Sequence, residues 1–168
     1  MTSQPQVVPY GSWRSPITAD LIVQNSIRLG NIQLDGADVY WSELRPQSGG
    51  RTIIVRYRDG QLADITPEPF NVRSRVHEYG GGAYTVDQGT IYFSNFADQR
   101  LYRQVGAEIP TPITPDQPCR YADGVVDHER QRLICVREDH RQGEREVLNT
   151  IVAVNLTGDA IGGTVLVS

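Results

Sequence analysis

One order of strand-like segments occurs three times along the 168 residues of the chain. Each copy begins with a short apolar segment and a turn that contains Asp or Gly, and three further segments rich in Val, Ile, Leu, Thr and Tyr follow. Corresponding segments lie roughly 42 to 53 residues apart, which is the spacing of four-stranded propeller blades. We therefore predict an all-β fold, a partial β-propeller of about three four-stranded antiparallel blades.

The predicted strands divide the chain into three consecutive units. They cover 32–34, 38–42, 52–57 and 64–67 in the first unit, 83–86, 90–94, 99–103 and 112–115 in the second, and 122–126, 132–136, 150–154 and 164–167 in the third. We place the blades at 28–70, 75–116 and 119–168 within a propeller unit of residues 28–168. Residues 1–27 form an amino-terminal extension, and residues 17–26 carry its short predicted helix.

A turn signal fixes the direction of two strands in the first unit. Asp59 and Gly60 stand between the third and fourth segments. A two-residue type I′ turn needs positive φ at both central positions, which Asp and Gly tolerate. The two segments are therefore predicted to pair as an antiparallel hairpin.

Composition limits the classes of partner and compartment. Sixteen Lys and Arg against twenty Asp and Glu give a net charge of −4, which offers no attraction for nucleic acid or an anionic membrane. No segment approaches the roughly 18 to 20 apolar residues of a membrane span, and the start lacks a secretory signal pattern. We predict a cytoplasmic protein without cofactor or metal, in which Cys119 and Cys135 are reduced structural thiols.

The run His77-Glu78-Tyr79 followed by three glycines is the first candidate for chemistry. It superficially resembles the oxyanion loop of esterases, in which backbone N–H groups stabilise a developing negative charge. The run also begins the second unit, where the first strand of a blade lies near the propeller axis and glycine permits close backbone approach. Packing is the favoured interpretation, because no serine stands in a Gly-x-Ser-x-Gly elbow, and we assign no catalytic residue.

Charged residues near strand ends give the remaining candidates. In the pairs Asp127-His128 and Asp139-His140, neighbouring residues of a strand would point to opposite faces, so we interpret both pairs as parts of solvated loops. Arg137 and Glu138 either line a central channel and hold a charged peptide terminus, or form salt bridges at the rim. With His77 and Glu78 they complete the candidate substrate-channel residues: His77, Glu78, Arg137 and Glu138.

Several longer motifs carry a family resemblance. They are YGSWRSPITA at 10–19, DVYWSE at 38–43 and RVHEYGGGAY at 75–84, with shorter matches at 92–102, 120–123 and 136–140. In this order they resemble the amino-terminal propeller of prolyl oligopeptidase-family serine peptidases, in the acylaminoacyl-peptidase and dipeptidyl-aminopeptidase-like branch. The resemblance covers nearly the whole chain.

This resemblance implies a function for the parent protein. In the family, a propeller of seven or eight blades caps an α/β-hydrolase domain that carries a Ser-Asp-His triad, and the propeller admits short peptides while excluding folded proteins. The sequence reaches Ser168 without such a domain, so we expect this chain alone to be inactive and to form the gating, substrate-selecting part of a serine peptidase acting on short peptides.

Two further possibilities remain open from the sequence. The alternative function is a free-standing propeller scaffold that binds a protein partner, because propeller architecture hosts many functions. Blades also bury their apolar faces against neighbours, so we expect a homo-oligomer to form through exposed blade faces.

Overall fold

The computed structural model describes residues 7–12, 15–23, 26–143 and 146–168. These residues contain one short helix, one 3-10 turn (Pro46–Ser48) and twelve β-strands. The strands form three sheets of four, and every pair of neighbouring strands is antiparallel. This architecture confirms the predicted all-β fold and the partial propeller of three blades.

Each sheet is built from consecutive strands in chain order. The first sheet comprises β1 (Arg28–Asp35), β2 (Asp38–Arg45), β3 (Arg51–Arg58) and β4 (Gln61–Asp64). The second comprises β5 (Tyr84–Asp87), β6 (Thr90–Ser94), β7 (Leu101–Val105) and β8 (Thr111–Pro112). The third comprises β9 (Cys119–Asp127), β10 (Arg132–Asp139), β11 (Leu148–Asn155) and β12 (Thr164–Val167).

The predicted turn between β3 and β4 is confirmed. Asp59 and Gly60 have φ angles of 48° and 80°, and Arg58 pairs with Gln61 across the hairpin. Positive φ at both positions matches the right-handed twist of the flanking strands. The third and fourth strands of the first sheet are therefore antiparallel neighbours, as the sequence predicts.

The helix α1 (Ala19–Val23) is shorter than the predicted helix over 17–26. The Thr18 hydroxyl accepts the amide of Leu21 at 3.1 Å and caps the helix, because the first amides of a helix have no partner within it. Residues 24 and 25 lie outside the described residues. No helix in the described part of the chain is both long and apolar enough to cross a membrane.

Two apolar cores lie between consecutive sheets. Between the first and second sheets the buried side chains include Tyr40, Ile54, Ile91 and Phe93. Between the second and third sheets they include Tyr92, Leu101, Leu133 and Val152. The sheets therefore pack face to face in chain order, as propeller blades do.

The first strands of consecutive sheets lie beside one another. The side-chain amide of Gln33 in β1 donates to the carbonyl of Tyr84 at 2.9 Å, and its oxygen accepts the amide of Val86 at 3.0 Å. At the end of β1, the Asp35 carboxylate accepts the amide of Gly89 at 2.6 Å. Side chains of β1 thus link β1 to β5 and to the turn after it, whereas strands within one sheet are paired by backbone hydrogen bonds.

The connector, residues 65–83, leads from β4 to β5 and touches all three sheets. The amide of Val72 donates to a carbonyl of β3 at 2.8 Å, and the amide of Arg73 donates to a carbonyl of β6 at 3.0 Å. The hydroxyl of Ser74 donates to a carbonyl of β9 at 2.7 Å. Three consecutive residues therefore bind three different sheets.

Candidate functional site

The connector turns back on itself at His77 and Glu78. Their φ angles are 54° and 61°, and Gly80 follows with 84°. Left-handed backbone costs a residue other than glycine roughly 1–2 kcal/mol, so surrounding contacts must hold this segment in place. The buried side chain of Val76 anchors the turn, and the amide of Gly80 donates to the Val76 carbonyl at 2.8 Å. Strained backbone of this kind is concentrated at functional sites.

A buried carboxylate supplies one of the holding contacts. Glu138 at the end of β10 has a side chain only 6% exposed, and its Oε1 accepts the backbone amide of His77 at 2.5 Å. The Nδ1 atom of His77 lies 3.3 Å from Oε1, and the Nε2 atom of His140 lies 3.3 Å from Oε2. Arg120 in β9 approaches the same Oε2 at 3.5 Å. Glu138 therefore ties the connector of the first two sheets to the third sheet.

Glu78 forms the solvent-facing part of this cluster. Its carboxylate accepts Nη1 of Arg120 at 2.8 Å, although the Glu78 side chain is 78% exposed. The hydrogen bond from Arg120 lowers the pKa of the Glu78 carboxyl, so Glu78 stays ionised at neutral pH. The Arg120 guanidinium also donates to the Arg75 carbonyl at 3.2 Å. The cluster thus presents an exposed, ionised carboxylate that Arg120 holds in place.

Arg137 lies apart from the other three candidate residues. Consecutive residues of a strand point to opposite faces, and Arg137 is 3% exposed on the face of β10 opposite to Glu138. Its Nη1 donates to the carbonyls of Gly162 and Gly163, each at 3.3 Å. The structure therefore brings His77, Glu78 and Glu138 together and places Arg137 behind them, in contact with the loop before β12.

The interpretation of Asp139 and His140 as a solvated loop is wrong. Asp139 is 7% exposed and His140 is 9% exposed. The reason is that β10 continues to Asp139, and the His140 amide still donates to the Pro118 carbonyl at 2.9 Å. The expected rim salt bridges are correspondingly buried: Nη2 of Arg137 lies 3.6 Å from Oδ2 of Asp139.

Asp127 and His128 bind different partners, as the alternation of a strand predicts. Nε2 of His128 lies 2.7 Å from Oδ1 of Asp87 on the second sheet. Asp127 accepts Nε of Arg132 at 2.9 Å within the third sheet. His128 is exposed, and no acid–base pair forms between the two neighbours. His128 thus joins the third sheet to the second at the end of the sheets opposite to Glu138, whereas Asp127 bonds within its own hairpin.

Solved structures of peptidases share this fold over nearly the whole chain. A Mycobacterium tuberculosis puromycin-hydrolysing peptidase matches 98% of the chain with a TM-score of 0.80 and 35% identity. A puromycin hydrolase matches 98% with a TM-score of 0.83 and 34% identity, and its serine-to-alanine variant in complex with PGG matches 92% with 0.80 and 37%. The chain is a propeller portion of a prolyl oligopeptidase-family protein.

This portion of a prolyl oligopeptidase-family protein spans 28%, 26% and 28% of the three matched chains. The chain matches no protein-family model and no curated protein sequence. Sequence identity of 34–37% to these structures, over 92–98% of the chain, agrees with the family resemblance of the motifs at 10–19, 38–43 and 75–84.

Close packing explains why glycines follow Tyr79 in this propeller portion. A Cβ atom on Gly81 would lie 2.7 Å from Oδ2 of Asp123 and 2.9 Å from Cβ of Ala122. The amide of Gly82 donates to Oδ1 of Asp123 at 2.7 Å. The third sheet thus occupies the space that a side chain would need, as the favoured interpretation requires.

The sequence does not reveal two members of the cluster around Glu138, Arg120 and His140. Arg120 pairs with Glu138 in the register of β9 and β10, but the predicted strand began at 122 and left Arg120 outside. The available sequence signal for an earlier start is Pro118, followed by the apolar residues Cys119 and Tyr121 on either side of Arg120. The sequence places His140 in a loop, because the charged residues around it give no sign of where β10 ends.

Proposed function

We propose that this chain is the substrate-admitting propeller part of a cytoplasmic serine peptidase that hydrolyses short peptides. The proposal places the parent protein in the acylaminoacyl-peptidase and dipeptidyl-aminopeptidase-like branch, with bond cleavage performed by a domain outside these 168 residues. The matched structures support it, since their names describe a peptidase and hydrolases of puromycin, and this chain corresponds to 26–28% of their length.

The observation that carries the proposal is an exposed, ionised Glu78 on a strained and firmly held turn. A carboxylate in this position can pair with the ammonium group of a peptide without rearranging, because Arg120 and the turn fix its place. His77 would line the same entrance, since its side chain is 52% exposed. Glu138 would position His77, and Arg137 would support the loop behind them.

The coding sequence beyond Ser168 tests the proposal directly. A Gly-x-Ser-x-Gly elbow, followed by Asp and then His, is expected in the same reading frame. The encoded whole protein should then hydrolyse short peptides and leave folded proteins intact. A stop codon, or further blades without a nucleophile, would refute the peptidase assignment.

A pair of matched variants tests the role of Glu78 in that whole protein. Glu78→Gln should raise KM for peptides with a free amino terminus and leave KM for their N-acetylated forms unchanged. Glu129→Gln is the control, because Glu129 is 88% exposed on the distant turn between β9 and β10. Equal effects of the two variants would remove Glu78 from the entrance.

The second candidate function is a free-standing scaffold that binds a protein partner. The observation in its favour is Tyr79, which is 96% exposed at the tip of the connector turn. Exposed tyrosines are enriched at protein interfaces. A stop codon soon after Ser168, together with unchanged activity of the cell extract on short peptides after gene deletion, would favour this candidate.

We also propose that the 168-residue chain associates with a second copy through its end faces. The first and third sheets each pack against only the second sheet among the described residues, and their outer faces carry exposed apolar side chains, including Leu34, Leu62, Val125 and Val167. Light scattering should show a dimer or a larger species, and Val167→Lys should shift it towards monomer. A native chain that stays monomeric at high concentration would contradict the proposal.

A further inference from the structure

A cavity of about 330 Å³ opens between the first sheet and the connector, beside the connector turn. Its walls come from β1, β2 and β3 on one side and from the connector on the other. Tyr79, Gly80 and Gly81 belong to its rim, so the cavity adjoins the turn that carries Glu78. A volume of this size is within the range of small-molecule sites.

Two arginines line this cavity from opposite walls. Arg28 starts β1 and pairs with Leu44, and Leu44 pairs with Thr52, so these three side chains share the face directed at the second sheet. Arg73 lies on the connector. The two guanidinium-bearing residues therefore border one space although they are 45 positions apart in the sequence.

Neither arginine has a carboxylate partner among the described residues. Arg73 instead stacks on an aromatic ring: its guanidinium carbon lies 4.8 Å from the ring centre of Phe96, and the guanidinium carbon of Arg75 lies 4.4 Å from the same centre. Stacking on a ring restrains the guanidinium plane while its N–H donors remain available. Arg73 is thus held in place without being neutralised.

The lining of the cavity contains no acidic side chain within the described part of the chain. Asn31 and Thr52 add uncharged polar groups to its wall. Two cationic residues that border one space whose lining holds no acidic side chain favour the entry of an anion. This local excess of positive charge contrasts with the net charge of −4 on the whole chain.

We propose that this cavity binds a carboxylate group of a peptide, with Arg28 and Arg73 as its donors. The inference rests on the proposed peptide-handling function and adds a specificity to it. Arginine matches a carboxylate through two parallel N–H···O bonds, which a neutral amide cannot replace. Peptides with a free carboxyl terminus, or with a suitably placed Asp or Glu side chain, are therefore preferred over neutral ones.

Binding to the purified 168-residue chain tests the cavity by itself. The probes are three N-acetylated tripeptides: Ac-Ala-Ala-Ala with a free carboxylate, the same peptide as an amide, and Ac-Ala-Glu-Ala amide. Acetylation removes the ammonium group, so Glu78 contributes nothing to the comparison. Titration calorimetry in chloride buffer at low ionic strength should show tighter binding of the free acid than of its amide, by about tenfold.

The third probe identifies the source of the carboxylate. Ac-Ala-Glu-Ala amide should bind like the free acid if any peptide carboxylate is accepted, and like the amide if only the chain terminus is read. Both results keep the carboxylate site. Binding of the acids should weaken as salt is added, because screening reduces attraction between exposed charges.

Substitutions of the two arginines test whether each of them binds the peptide carboxylate. Arg28→Gln and Arg73→Gln should each reduce affinity for the free acid about tenfold, and Arg28→Lys should lose less. Arg130→Gln is the matched control, because Arg130 is 61% exposed on the distant turn after β9. Thermal unfolding of each variant shows whether the fold is retained, and Arg28→Gln tests the site even where Arg73→Gln unfolds.

Equal binding of the acid and the amide, or no detectable binding of the acid, would overturn the carboxylate site. Such a result leaves the peptidase assignment intact, since that assignment is decided by the sequence beyond Ser168 and by hydrolysis. If the coding sequence beyond Ser168 encodes no hydrolase domain but the chain binds the acid more tightly than the amide, the peptidase assignment fails and the carboxylate site stands.

Discussion

Gly82 and Asp123 exchange two hydrogen bonds across the boundary between the second and third sheets. The amide of Gly82 donates to Oδ1 of Asp123 at 2.7 Å, and the amide of Asp123 donates to the carbonyl of Gly82 at 2.8 Å. Asp123 has a φ of 57°, a left-handed conformation that Asp and Asn adopt more readily than most residues. Backbone conformation and side chain therefore both depend on the identity of this residue.

Asp123→Ala should destabilise the chain by about 1–2 kcal/mol, since alanine disfavours left-handed backbone and cannot accept from Gly82. Asp123→Asn should have a smaller effect, because asparagine retains both the conformation and an acceptor. Urea unfolding followed by tryptophan fluorescence measures the difference. Equal losses for the two variants would show that the negative charge, and not the backbone, matters.

Glu138→Gln should destabilise the chain by roughly 3 kcal/mol, because it removes the buried charged acceptor that the His77 amide and Arg120 share. Glu78→Gln is its control: Glu78 also pairs with Arg120 but is 78% exposed, so its loss should change stability little. Denaturant midpoints of both variants provide the measurement. Similar midpoints would mean that Glu138 does not hold the connector.

Asp139 should make stability depend on acid pH. Its carboxylate accepts Nε of Arg141 at 2.8 Å, and hydrogen bonds from Arg141 lower its pKa from 3.8 to about 2. Because the folded pKa lies below the unfolded value, this stabilisation is present above about pH 4 and is lost as the pH falls through the folded pKa. It amounts to the order of 2 kcal/mol.

The variant Asp139→Asn lacks this contribution at every pH. The difference in free energy of unfolding between native chain and variant should therefore be largest near neutrality and shrink towards pH 2. Urea titrations at several pH values measure it. A difference that stays constant with pH would exclude Asp139 as the titrating group.

Both cysteines should be unreactive in the folded chain. Burial raises the pKa of Cys135 to about 12, and burial together with the charge of Asp139 raises the pKa of Cys119. The thiolate is the reactive form, so a disulfide reagent at pH 8 should modify the native chain slowly and both cysteines after unfolding. Rapid native modification, or no thiol after unfolding, would contradict buried, reduced cysteines.

The repeating strands could be predicted because they follow local rules. A run of β-branched and aromatic residues marks the second strand of the second sheet, predicted at 90–94 and observed as Thr90–Ser94. The hairpin at Asp59 and Gly60 follows from turn chemistry. Strand ends were less accurate, since the charged residues after 136 gave no sign that β10 continues to Asp139.

The candidate site could be predicted only in part, because it depends on contacts between distant residues. His77 and Glu138 are 61 positions apart, and only the packing of the connector on the third sheet brings them together. Burial of a charged residue such as Glu138 is decided by that packing and leaves no local pattern. The opposite placement of Arg137 follows from strand alternation, once the extent of β10 is known.

The placement of Val72, Arg73 and Ser74 on three different sheets bears on how the molecule comes apart. Linear repeat arrays can fray from an end, since each unit touches only its neighbours. Here residues 72–74 form hydrogen bonds to all three blades. Neither outer blade can therefore unfold without breaking contacts that also hold the other two. The three blades should melt together, as one cooperative unit.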